Sequence, residues 1–247
     1  MPHTSSSFVI LEQVDSTNNY AMAKVHAGMA KHGDCWFTNH QTEGKGQRGK
    51  VWISGPGDSI ALSIVFNPKH LSILNPFQLS TAVALGLWDF YSEQAGQETF
   101  IKWPNDIYWR DRKAAGILIE NKYSGKDWKW AVVGIGVNIN QTEFDASLAN
   151  PVSLKQITGK MFDTVVLARK LHDKVLQRTT ALFTNPYPPM LAEYNRHLYK
   201  TGQAVKLKKD NMVFKTVVQG VSAQGHLLTK DVIEKQFEFG EVEWVIK

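Results

Sequence analysis

TFIKWPNDIYWRDRKAAGILIENKYSGKDWKWAVVGIGVNIN, residues 99–140, holds four apolar runs separated by turns of only a few residues. The runs are Phe100 to Trp103, Ile107 to Trp109, Ala114 to Glu120 and Trp128 to Asn140, rich in the β-branched and aromatic residues that suit a pleated surface. A parallel crossover needs a dozen residues or more, so connections this short force antiparallel neighbours. The reading is α+β, with a mixed, largely antiparallel sheet flanked by helices.

Working outward, Phe8 to Leu11, Asp34 to His40 and Ser59 to Phe66 read as further strands. Asp15-Ser16-Thr17-Asn18 offers N-cap chemistry to a helix starting near Tyr20. Asn75-Pro76 is a cap followed by proline at the first helical position, and Leu79, Val83, Leu87 and Phe90 recur at helical spacing up to Gly96, so that helix must cover a sheet face. A second long helix is expected from Asp163 to Phe183, where Val166, Leu167, Lys170, Leu171, Lys174 and Val175 form an apolar stripe and a basic one. Pro186, Pro188 and Pro189 interrupt the chain before a short helix to about Leu198. Beyond Gly202 the expected strands are Ala204 to Leu207, Val213 to Ser222, Leu227 to Thr229 and Phe237 to Val245, with Gly220, Gly225 and Gly240 between them. This is a small barrel-like second domain. The chain divides into residues 1–198 and 199–247.

With 247 residues and 43% hydrophobic content the chain can bury a substantial core. No apolar run approaches a membrane span, and the start, Met1-Pro2-His3-Thr4-Ser5-Ser6-Ser7, lacks the regions of a signal peptide, so a cytoplasmic protein without membrane partner is expected. The single cysteine, Cys35, excludes an internal disulfide or a cysteine-rich metal site and is expected in a strand as a small apolar residue. The net charge of +5 raises the question of nucleic acid, yet the basic clusters Lys45 to Lys50, Arg110 to Lys113 and Lys206 to Lys209 are short, and no DNA- or RNA-reading pattern accompanies them.

Gly44-Lys45-Gly46-Gln47-Arg48-Gly49-Lys50-Val51-Trp52 interleaves three glycines with three cations between two expected strands. Glycines let backbone N–H groups turn toward one point and the cations add positive charge, so phosphate suits such a loop. The letters also fit a dinucleotide fingerprint and a P-loop. Both need a helix directly after the loop, and Ile53-Ser54-Gly55-Pro56-Gly57 breaks any helix; Val51 moreover lacks the hydroxyl that a P-loop offers to magnesium. From the loop alone, a solvated basic segment explains the letters equally well. In Lys102-Trp103-Pro104-Asn105-Asp106 a strand ends and a turn opens, placing Asn105 and Asp106 at a strand edge facing solvent. Asp is an oxygen ligand suited to magnesium, although Pro-Asn-Asp alone is an ordinary turn. Lys113, at the mouth of the next strand, can neutralise a phosphate while a bond to it forms; alone, it reads as a solvated turn lysine.

Taken together, Asp15-Ser16-Thr17-Asn18, Gln41 to Trp52, Lys102 to Asp106, Arg112 to Leu118 and Gly134-Ile135-Gly136-Val137-Asn138 resemble the biotin protein ligases, also called biotin:acetyl-CoA-carboxylase ligases, over nearly the whole chain. The resemblance implies a catalytic domain related to class II aminoacyl-tRNA synthetases and lipoate ligases, followed by a C-terminal SH3-like barrel. It implies activation of biotin by ATP to biotinyl-5′-AMP, and transfer to a lysine of the biotin carboxyl carrier protein of acyl-CoA carboxylase. Biotin would meet Ser16, Thr17, Asn18, Gln41, Gly44, Lys45, Gly46, Gln47, Lys113 and Gly116. ATP would meet Arg48, Lys50, Trp52, Lys102, Asn105, Asp106 and Asn138, with Asp106 on Mg2+ and with Lys113 and Arg48 catalytic. Lys45 and Gln47 stand where many relatives have arginine, which bears on how tightly the adenylate is held. Some members carry an N-terminal DNA-reading helix-turn-helix; with seven residues before the first strand, neither that domain nor a DNA partner is expected here. An exposed strand of the catalytic sheet leaves a homodimer open. Lipoate ligation on the same fold and a non-catalytic binding module are the alternatives.

Overall fold

The computed structural model describes residues 6–71, 73 and 75–246; residues 1–5, read above for the absence of a leader, lie outside them. The chain runs β1 (Phe8–Leu11), α1 (Thr17–His26), β2 (Cys35–Thr38), β3 (Ser59–Phe66), α2 (Pro76–Ala95), β4 (Thr99–Lys102), β5 (Asp106–Trp109), β6 (Arg112–Ser124) and β7 (Asp127–Asn138). It continues with α3 (Leu154–Thr158), α4 (Thr164–Thr184), α5 (Tyr187–Arg196), β8 (Ala204–Lys209), β9 (Met212–Val221), β10 (Leu227–Lys230), β11 (Glu234–Phe237) and β12 (Glu243–Trp244). The first seven strands form one sheet in the order β1-β2-β3-β7-β6-β5-β4, antiparallel except for β1 with β2.

Strand periodicity decides the layers. Along β3, Ile60, Leu62, Ile64 and Phe66 enter the main core with Leu79, Val83 and Leu87 of α2 and Leu167 and Leu171 of α4. Val65 faces the other way, joining Trp36 and Val132 beneath Ala21 and Val25 of α1. Both long helices are capped at their start: the Asn75 side chain, as its sequence signal indicates, accepts from the backbone N–H of Phe77 and Gln78, and the Asp163 side chain accepts from those of Val165 and Val166. Cys35 is fully buried in β2, as expected, and burial pushes its thiol pKa up. Among the described residues no helix is long and apolar enough to cross a membrane.

Four expectations change. Val166 is 49% exposed, and the buried stripe of α4 is completed instead by Ala168, His172 and Thr179. The short α3 was not foreseen, although Ser153 and Gln156 build a capping box at its start. Gly220 lies inside β9, beside a register shift opposite Leu228 and Thr229, rather than between strands. The expected strand Phe237 to Val245 is broken by a turn at Gly240 (φ +88°), so β11 ends at Phe237 and β12 is a separate short strand on β8. The late strands form an open antiparallel sheet in the order β11-β10-β9-β8-β12; among the described residues no pairing closes it into a barrel. It is tied to the end of β4 by Trp103 Nε1 donating to Gly225 O (2.9 Å) and Trp244 Nε1 to Trp103 O (3.1 Å), and to α5 by Asn195 Nδ2 donating to Val221 O (3.0 Å).

Candidate active site

A cavity of about 50 Å³ opens on the α1 side of the sheet, where β6 and β7 pair. Its floor follows from strand alternation. In Gly134-Ile135-Gly136-Val137 the two apolar side chains go into the core, 2% and 0% exposed, so both glycines face the cavity. Gly116 of β6 sits directly across from Gly136. Missing side chains make the space. A Cβ on Gly134 would stand 2.9 Å from Asn18 Cγ, and one on Gly136 would stand 2.6 Å from Cε2 of Trp52, whose indole closes the cavity. Trp52 Nε1 is buried with no hydrogen-bond partner among the described residues.

The wall comes from the start of α1. Ser16 occupies the N-cap position, 1% exposed, yet its side chain makes no capping bond. The helix end is satisfied by Gln41, whose Oε1 accepts from Thr17 N (2.8 Å) and Thr17 Oγ1 (3.2 Å). Asn18 is fixed on both sides: its Nδ2 donates to Glu120 Oε2 (2.7 Å), and its Oδ1 accepts from Ser63 Oγ (2.6 Å), itself fully buried. Lys45 reaches Asn19 Oδ1 on α1, and Gln47 Nε2 donates to Ile117 O (3.2 Å), so the glycine loop is pinned over the opening from two directions. Gly44 is buried behind it, where a Cβ would meet Gln41 Nε2 at 2.9 Å.

Cations gather beside this cavity. Lys113 Nζ lies 2.7 Å from Asp106 Oδ1, an ion pair off hydrogen-bond geometry. Asp106 does not face solvent, as the turn reading held; it opens β5 with its side chain 12% exposed. The turn before it is covered, because Asn105 Nδ2 donates to Ile117 O (2.9 Å) and Asn105 O accepts from Ile117 N. Lys102 is 8% exposed, and burial, then repulsion from Lys113 and Lys50 against the attraction of Asp106, brings its pKa down to about 8. Lys50, Lys102 and Lys113 thus share one field around Asp106.

Asn138 sits apart from the cavity. Its Nδ2 donates to the backbone oxygens of Lys113 (3.4 Å) and Val152 (3.2 Å), holding the strand that carries Lys113. Arg48 is elsewhere too: in a left-handed conformation (φ +55°), it sends its guanidinium to the C-terminal sheet, 5.2 Å from the Phe239 ring centroid. The structure therefore joins Ser16, Thr17, Asn18, Gln41, Lys45, Gly46, Gln47, Trp52, Asn105, Lys113 and Gly116 around one cavity, with Lys50, Lys102 and Asp106 beside it. Sequence reasoning gave no role to Ala61, Ser63, Gly134 and Gly136; small residues at alternate positions of β3 and β7 were the available signal. No group of three or more His, Cys, Asp or Glu that could hold a metal occurs among the described residues. A magnesium ion would fit here as one carried by a nucleotide's phosphates, with Asp106 as the carboxylate beside Lys113.

The chain is 27% identical to the bifunctional ligase/repressor BirA of Escherichia coli, over 96% of this chain and 73% of that one. It is also 27% identical to the biotin--[acetyl-CoA-carboxylase] ligase of Paracoccus denitrificans, over 92% and 95%. In fold it matches the biotin protein ligase of Aquifex aeolicus solved with biotin and ATP, with TM-score 0.81 and 24% identity across 98% of this chain and 99% of that one. The sequence profile described as the Biotin/lipoate A/B protein ligase family matches residues 10–138, and the chain belongs to that family.

Proposed function

We propose that the protein is an ATP-dependent, AMP-forming biotin ligase that attaches biotin to a lysine of the biotin carboxyl carrier protein of an acyl-CoA carboxylase, in the cytoplasm. Residues 1–198 are the catalytic unit in this reading and residues 199–247 a second unit. The observation that carries it is the placing of Lys113, paired to Asp106, in the wall of a glycine-floored polar cavity and close enough to the buried Lys102 ammonium to repel it. A vitamin acid in the cavity, among Ser16, Thr17, Asn18 and Gln41, would bring its carboxylate toward Lys113 and a nucleotide's phosphates toward Lys102 and Lys50.

In the first step a carboxylate oxygen of biotin attacks the α-phosphorus of MgATP, and the bond to the bridging oxygen of pyrophosphate breaks with its electron pair. Biotinyl-5′-AMP and pyrophosphate result. Two anions must meet, and Lys113 offsets the charge that accumulates between them. In the second step the unprotonated amine of the carrier lysine attacks the acyl carbon, AMP leaves with the bonding electrons, and the amine loses a proton. Lys45 and Gln47, anchored on either side, hold the loop across the cavity so that water does not reach the mixed anhydride. Trp52, which lines the cavity, offers the nucleotide an aromatic face and an indole N–H with no partner among the described residues. Asn138 acts by holding the strand that carries Lys113, and Asp106 would be the carboxylate available to a magnesium ion brought by the nucleotide. Biotin is favoured over lipoate because the relatives that align over most of the chain carry biotin ligase names.

The test is biotin-dependent ATP–pyrophosphate exchange. Lys113→Ala is expected to lower exchange by about 10²–10³-fold with the fold retained. Exchange near the normal rate would remove Lys113 from the mechanism, and exchange driven by lipoate in place of biotin would overturn the substrate.

A further inference from the structure

We infer that Trp244 and Tyr108 are positioning residues that hold the Lys102 ammonium for the nucleotide's phosphates, so that the C-terminal sheet supplies one wall of the ATP site. The inference rests on the reading of Lys102 as a phosphate-binding residue. Lys102 ends β4, and its Nζ lies 5.0 Å from the Tyr108 ring centroid and 5.4 Å from that of Trp244. It makes no hydrogen bond or ion pair with a described residue. A buried ammonium with its three N–H groups unspent is costly unless something faces it. Two aromatic faces supply attraction without using the donors, which leaves them for an anion that need displace no existing partner.

The rings are themselves fixed. Trp244 Nε1 donates to Trp103 O (3.1 Å), and β12 pairs Trp244 with Leu207 of β8. Tyr199, in the connection between the two sheets, stands 5.3 Å from Tyr108 and 5.7 Å from Trp244, and its hydroxyl donates to Asp111 Oδ1 (2.6 Å). A lysine has four rotatable carbons and no preferred fork, so its charge is located only as well as its surroundings hold it. Here one side of that hold comes from the last strand of the chain.

The test compares Trp244→Leu, Trp244→Phe, Lys102→Met and the Lys102→Met/Trp244→Leu double variant of the full chain in biotin-dependent ATP–pyrophosphate exchange, each checked by thermal melting. Trp244→Leu is expected to raise the KM for ATP by about tenfold with the KM for biotin within about twofold, while Trp244→Phe, which keeps a π face, stays within about threefold of the parent. In the Lys102→Met background, adding Trp244→Leu should change the KM for ATP no further. An unchanged KM for ATP in Trp244→Leu beside an impaired Lys102→Met overturns the clamp alone, as does an equal effect of Trp244→Leu in both backgrounds. A normal KM for ATP in Lys102→Met overturns the role of Lys102 and the clamp with it. Should Trp244→Leu not fold, the pair Tyr108→Phe and Tyr108→Leu provides the same contrast.

Discussion

Replacing Gly134 by alanine tests whether the cavity floor is set by the absence of side chains. The new Cβ would stand 2.9 Å from Asn18 Cγ and 3.0 Å from Nδ2, and closer still to Oδ1. Carbon contacts are optimal near 3.5–4.0 Å, so Asn18 must shift by roughly 1 Å. Asn18 is 3% exposed and held by Ser63 and Glu120, so it cannot shift without losing the bond from a fully buried hydroxyl. Overpacking costs about 1–3 kcal/mol; Ser63 Oγ keeps its bond to Thr17 Oγ1 (2.8 Å) when the one to Asn18 is lost, so no buried hydroxyl is orphaned and the total stays at about 1–3 kcal/mol. For a chain of this size that lowers the melting temperature by roughly 2–12 °C. Biotin affinity should fall by about 10²-fold, the scale of a 1 Å misplacement. Melting and calorimetric titration with biotin read both quantities. In an Asn18→Ala background the same substitution should cost far less, because the obstacle is gone. A melting temperature within about 1 °C of the parent together with unchanged biotin affinity would refute the packing argument.

Other perturbations probe the supports of the site. Gly240→Ala puts a Cβ into the space filled by the Arg48 guanidinium, at a position with φ +88° that alanine resists; about 1–3 kcal/mol of stability should be lost, and trypsin should cut the glycine loop faster. An unchanged cleavage rate would show that Arg48 does not tether the loop. Arg178 donates four hydrogen bonds of 2.6–2.8 Å to Asp89 and Glu193, joining α2, α4 and α5 with its side chain 23% exposed. Arg178→Met should cost about 2 kcal/mol, between the values of an exposed and a buried pair, with the loss read from urea denaturation midpoints. Arg178 holds the Glu193 carboxyl below its ordinary 4.5, so this stabilisation is present above that value and is lost as pH falls through the lowered one. The stability gap between parent and variant should narrow in acid, and a gap that widens there would contradict the assignment.

Where the chemistry of an element was local, the sequence made it legible. Asn75-Pro76 and Gly96 bracket α2, and the nearly all-apolar run from Ser59 to Phe66 is β3 to the residue. The short connections of residues 99–140 led correctly to an antiparallel sheet. What escaped depends on contacts distant in sequence. Asp106 is buried because the turn before it is bonded to β6 and packed under the loop at Gly225, neither visible from Pro-Asn-Asp. Arg48 turns away from the cavity because a glycine turn some 190 residues later leaves room for its side chain. Gly134 and Gly136 were recognised as letters of a motif, yet their use as a floor needs α1 above them, which the pattern of β7 alone does not indicate. Strand β11, Glu234–Phe237, carries one buried apolar side chain, too weak a signal for period-2 reading.

In the proposed reaction, cations held beside a glycine-floored cavity let a vitamin acid and a nucleotide react and pass the acyl group to a protein amine. The whole reaction sequence is read in one experiment by mixing the protein with labelled biotin, MgATP and an apo biotin carboxyl carrier domain and mapping the label by mass spectrometry. One biotinyl group on the carrier's lysine, lost when that lysine is replaced by arginine, is the expected result. An unlabelled carrier in the presence of all three substrates would contradict the account.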